Sequence, residues 1–138
     1  MGSTEQSSAP DGPIAARAAE PAAERLVEAV NRLGRQVAHW QPARWSTAGG
    51  AGPGEAATGG PGVAVAGSRG DRVHALVQRL ADRGALAERR LAGGVPRLND
   101  LVLPDQLRVV ADDLIAAGAP GDDLIAAADD VDAVRRTL

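Results

Sequence analysis

Between Leu26 and Trp40 the large apolar side chains fall at intervals of four, three, four and three: Leu26, Val30, Leu33, Val37 and Trp40. At 100° per residue these five lie within about 80° of one another on a helix. Glu24, Glu28, Arg32, Arg35 and His39 take the opposite side, with Glu28 four residues before Arg32 in the favoured orientation. Pro21 suits the first turn of this helix, and Pro42 disfavours helical geometry in Gln41, so the helix is expected from about Pro21 to Gln41. The spacing is that of a coiled coil but lasts barely two heptads, and a single helix this short needs a partner surface.

Three further amphipathic segments follow. One opens at Ser68 or Asp71 and runs to about Leu91, with Gly93 and Gly94 as its stop. Its buried stripe is expected to hold Val73, Leu76, Val77, Leu80, Ala87 and Leu91, interrupted by Gly84 at a cost of roughly 1 kcal/mol relative to Ala. An extended link, VPRLNDLV, leads to a helix from about Pro104 to Gly118 with Leu107, Val110, Ala111 and Leu114 inward. After Pro120 a last helix, about 121–137, buries Leu124, Ala128, Val131 and Val134. DDLIAAG at 112–118 and DDLIAAA at 122–128 repeat after ten residues, too short a period for a solenoid unit. The expected fold is all-α, a small bundle of about four amphipathic helices.

The remaining segments lack the side chains to join such a core. Residues 1–19 are polar, small or Pro-interrupted and read as a disordered tail. Residues 46–67 read as a flexible Gly/Ala/Pro linker between an amphipathic block at 20–45 and a three-helix block at 68–138, which are expected to pack as one domain. VAVA at 63–66 is the one strand candidate, and it has no hairpin partner. Alanine supplies 29 residues, and Leu, Val and Ile together only another 29, so the core is modest and its stability marginal.

Composition also narrows function. All 15 basic residues are Arg, and there is no Cys, Phe or Tyr. A P-loop lysine, a Schiff base, a thiol nucleophile and a thiolate metal site are therefore excluded. Arg without Lys, beside abundant Ala, Gly, Pro and Asp, is what a GC-rich bacterial genome produces. The first residues lack a basic start and an apolar core, Gln6 stands where a myristoylation signal wants Ser or Thr, and no apolar run is long enough to cross a bilayer. The expected location is the cytoplasm.

Charge is unevenly placed. Residues 69–97 carry seven Arg against three acids, whereas 98–138 carry nine Asp against three Arg. Arg72, Arg79, Arg83 and Arg90 fall within about 40° of one another on the second helix and form a basic ridge. Such a ridge either pairs with Asp on neighbouring helices or offers a docking surface to an acidic partner. Against nucleic acid stand the net charge of −3, the absence of Lys, Tyr and Phe, and the nearby Asp residues.

Candidate chemistry is sparse. His39 and His74 lie off their apolar stripes, read as surface side chains, and have no metal-ligand spacing between them. Asp71 is placed as an N-cap or as a first-turn charge favoured by the helix dipole. The double-Asp steps lack the Gly and distal Glu of a calcium loop. The segment His39-Trp40-Gln41-Pro42-Ala43-Arg44-Trp45 holds both tryptophans. Trp40 is in register with the stripe and is expected in the core; Trp45 either folds back over the bundle or anchors a partner. Trp and Arg are frequent in interface hot spots, which makes Arg44 and Trp45 the first candidate contacts, followed by Arg72, Arg79, Arg83 and Arg90. The expected function is that of a non-catalytic helical accessory protein, with no cofactor, metal or small-molecule substrate, that binds another protein or itself. The alternative is a small nucleic-acid-binding regulator using the arginine ridge.

Overall fold

The computed structural model describes residues 13–47 and 67–138, with side chains from residue 19 onward. Residues 1–12 of the expected tail at 1–19, the bulk of the expected linker at 46–67 and its VAVA segment lie outside the described residues, whereas residues 13–19 are helical and not a tail. The fold is an all-α small bundle. Its helices are α1 (Pro13–Val37), α2 (Pro42–Ser46), α3 (Arg69–Ala87), α4 (Leu103–Ala116) and α5 (Gly121–Arg136), with a 3-10 turn at Asp100–Val102. Among the described residues no helix is long and apolar enough to cross a membrane.

The four longer helices close a ring in the order α1, α5, α3, α4, each packed on the next and α4 returning to α1. One core fills the ring. Leu26, Leu33, Val73, Leu76, Val77, Leu80, Leu103, Leu107, Leu114 and Val131 are fully covered, so α1 shares its apolar interior with the later helices. Ala22, Ala29, Ala127 and Ala128 are buried with them, and these short side chains let α1 and α5 approach closely. Arg25 meets Asp129 at 2.6 Å, Arg32 meets Asp132 at 3.5 Å, and Gln36 donates to the Arg135 carbonyl at 3.4 Å. Both numberings rise together, so α1 and α5 run parallel.

The helix boundaries depart from the sequence reading in three places. First, α1 begins at Pro13 instead of near Pro21, which lies inside it. Ala15, Ala16, Ala18 and Ala19 favour helix strongly enough to extend it past a proline that removes one ladder bond near the end. Second, α1 stops at Val37 and not at Gln41. Pro42 opens α2, which requires an extended Gln41 (ψ 159°), and the chain must reverse between them through a turn closed by the Trp40 amide on the Val37 carbonyl at 3.0 Å. Third, α3 ends at Ala87, and Arg89 adopts φ 58° in the turn that follows. Leu91 is consequently 93% exposed and not part of the buried stripe.

That early stop starts a return strap. Gly70 faces Asp100 and Gly84 faces Leu114, so α3 and α4 also run parallel, and the chain must travel back along α3 to start α4. The strap from Leu91 to Asn99 does this without regular secondary structure, held by side chains of α3. Gln78 donates to the Gly93 carbonyl at 3.0 Å and accepts from the Val95 amide at 2.7 Å. His74 Nε2 donates to the Val95 carbonyl at 3.1 Å. Arg97 donates to the Gly70 carbonyl at 3.0 Å and pairs with Asp71 at 3.1 Å and Asp100 at 2.8 Å. The Gly93 carbonyl and both backbone groups of Val95 thus find partners without a neighbouring strand.

Candidate functional site

At the end of α1 the reversal between Val37 and Pro42 brings both tryptophans together. Trp45 is 1% exposed and belongs to the core, whereas Trp40 is half-buried at its edge. Trp40 is thus less buried than its register predicts, and of the two alternatives for Trp45 the structure shows the one that folds back onto the bundle. Trp40 has left the helix on which its register was counted, and α2 turns Trp45 inward against α3 and the 3-10 turn. Trp45 is therefore a packing residue and not an exposed contact. The rings meet edge-on, with centroids 5.1 Å apart and planes at 67°, which suits the aromatic quadrupole.

Two guanidinium groups sit over the Trp40 ring, that of Arg44 at 4.7 Å and that of Arg69 at 5.7 Å from its centroid. Arg44 is exposed on α2. Arg69, at the start of α3, donates through Nε to the Leu138 carbonyl at 3.0 Å and through its amide to the Thr47 carbonyl at 2.8 Å, and its guanidinium also bonds the Thr47 hydroxyl. Trp40 thus forms one wall of a groove of about 400 Å³ between α1 and the start of α4. Val30 and Gly34 contribute the α1 side, and Leu101, Pro104 and Arg108 the other. Leu101 is 51% exposed at the lip. Gly34 leaves the floor open, since no atom lies within 4 Å of where its Cβ would stand.

The four arginines of the expected ridge do not form one free face. Arg83 pairs with Asp130 at 3.1 Å, both side chains 32% exposed. Arg72 donates to the Thr137 carbonyl at 3.3 Å. Arg90 lies beyond the end of α3 and pairs with Glu88 at 2.5 Å, and Arg79 remains exposed on the helix. The ridge breaks because α3 ends before Arg90 and because α5 brings Asp130 against Arg83.

The titratable groups serve the fold. His74, expected on the surface, is half-buried and committed to the strap; His39 is exposed. Asp71 and Ser68 form a reciprocal capping box at the start of α3, each backbone amide donating to the other's side chain at 3.0 Å. The Ser68 amide holds the Asp71 carboxyl below its ordinary value, with the Ser68 hydroxyl and Arg97 adding to the effect against partial burial. Among the described residues no group of three His, Asp or Glu side chains is arranged to hold a metal ion.

Sequence reasoning missed the groove, placing contacts at Arg44 and Trp45 but not at Trp40, Leu101 or Arg108. One signal was present: Gly34 stands inside a helix where Ala would be more stable by about 1 kcal/mol. No known family model matches the chain, and no curated protein or solved structure compared with it is similar.

Proposed function

We propose that this chain is a non-catalytic helical accessory protein of the bacterial cytoplasm that docks another protein in the groove beside Trp40, without a cofactor. The observation that carries the reading is the half-buried Trp40 ring, flanked by Arg44 and facing the exposed Leu101 across an open floor at Gly34. Aromatic and Arg side chains around a partly desolvated apolar hollow are the composition of binding hot spots. The engagement of Arg72, Arg83 and Arg90 within the chain favours this groove over the arginine ridge as the contact surface.

The test uses the full chain and its Leu101→Ser variant as baits in extract of the native cell. Leu101 is exposed, so the substitution leaves the core intact. A protein retained in stoichiometric amount by the parent chain and lost on the variant is the expected result. Equal retention by both baits, or a nucleic acid as the only retained species, would contradict the reading.

A further inference from the structure

Arg35 and Arg108 line this groove beside Asp105, and Arg44 lies on its Trp40 wall; we infer that the segment it accepts is an acidic peptide stretch of a protein built around one large apolar side chain. The inference rests on the docking reading above and narrows it to one chemistry. On other faces several arginines are matched to carboxylates: Arg25 to Asp129 at 2.6 Å, Arg83 to Asp130 at 3.1 Å, Arg97 to Asp100 at 2.8 Å. At the groove two arginines are not so matched. Arg44 lies on Trp40 and Arg108 donates to the neutral Asn31 Oδ1 at 3.2 Å, and neither has a carboxylate partner among the described residues. Arg35 reaches Glu28 only at 3.5 Å and is 67% exposed. Asp105 is the one acid on the groove wall.

Arg35 and Arg108 thus line the groove and Arg44 covers the Trp40 ring that walls it, on a chain whose net charge is −3. A guanidinium presents five N–H donors in a planar fork that fits a carboxylate with two parallel bonds. Leu101, Pro104 and Trp40 give such a peptide an apolar surface for its central side chain, and about 400 Å³ is room for a few side chains. Unpaired cations at the rim of an apolar hollow steer an acidic ligand in and reject a basic one. The exposed Leu101 suits a peptide with an apolar side chain better than a phosphate backbone, which has none to set against it.

A randomised peptide library selected on the immobilised full chain tests this, with Arg108→Glu and Leu101→Ser chains as counter-targets. Both substitutions are at exposed positions, and each variant is checked for parental helicity and melting temperature first. The expected result is enrichment of peptides with Asp or Glu on both sides of an apolar residue. A synthetic copy should bind Arg108→Glu about tenfold more weakly than the parent and lose affinity with added salt. Groove-dependent peptides with neutral or basic flanks would overturn the acidic chemistry while leaving the docking reading in place. No enrichment, equal binding to both variants, or displacement of the peptide by single-stranded DNA would overturn both.

Discussion

The ring of Trp40 meets that of Trp45 edge-on at 5.1 Å, one indole at the surface and the other 1% exposed. This contact divides the only two aromatic side chains of the protein into a wall and a core. The division is visible in fluorescence. In a Trp40→Phe chain the remaining Trp45 should emit at short wavelength and resist acrylamide; in Trp45→Phe the remaining Trp40 should emit further to the red and be quenched several-fold more strongly. Trp45→Ala should cost about 3–5 kcal/mol in urea unfolding, as for other buried aromatics, and Trp40→Ala about 1–2 kcal/mol. The reverse ranking would place Trp45 outside.

Gln78 closes both sides of its amide on the return strap, at Gly93 and Val95. Gln78→Ala should remove three hydrogen bonds, that to Asp82 included, and leave a half-buried amide at Val95 without its partner, a loss of about 1–3 kcal/mol. Hydrogen exchange at the Val95 amide should accelerate before exchange in α3 does. Unchanged protection there would mean that the strap is held by something else.

Two glycines of α3 should respond in opposite ways to alanine. A Cβ on Gly84 would stand 4.0 Å from the Leu114 Cα, ordinary contact distance, so Gly84→Ala should stabilise by about 0.5–1 kcal/mol and raise the melting temperature by a few degrees. A Cβ on Gly70 would stand 2.7 Å from the Asp100 carboxylate, which Arg97 holds in place. Gly70→Ala should therefore lower the melting temperature. A rise for both substitutions would mean that Asp100 swings aside freely.

Periodicity made the bundle legible in the sequence, because an apolar stripe on each of four helices fixes which faces turn inward whatever the ends do. Leu26, Leu33, Leu76, Leu107 and Leu124 lie where their spacing puts them. The ends were less legible. Ala-rich segments carry no stop signal, so α1 ran past Pro21 in one direction and fell short of Pro42 in the other. The groove was hidden for that reason: it exists only because α1 stops at Val37, which throws Trp40 off its stripe. The strap was half legible. VPRLNDLV reads as extended, but nothing in its own residues says that His74 and Gln78 would hold it.

Acid should weaken the start of α3. The Asp71 carboxyl has a folded pKa below its ordinary value of 3.8, so its contribution is fully present above that value and is lost as pH falls through the lower folded one. Melting temperature measured from neutral pH down to about pH 3 should therefore fall less steeply in Asp71→Asn than in the parent, while Asp71→Ala at neutral pH loses its half of the capping box at about 1 kcal/mol. Parallel pH curves for the parent and Asp71→Asn would remove Asp71 from the acid response.

The docking surface itself is open to a single measurement: hydrogen exchange of the full chain, alone and saturated with its captured partner. Added protection confined to the end of α1 around Asn31–Trp40 and to Leu101–Arg108 is the expected result. Protection centred instead on Arg72–Arg90 along α3, with the surroundings of Trp40 unchanged, would contradict it.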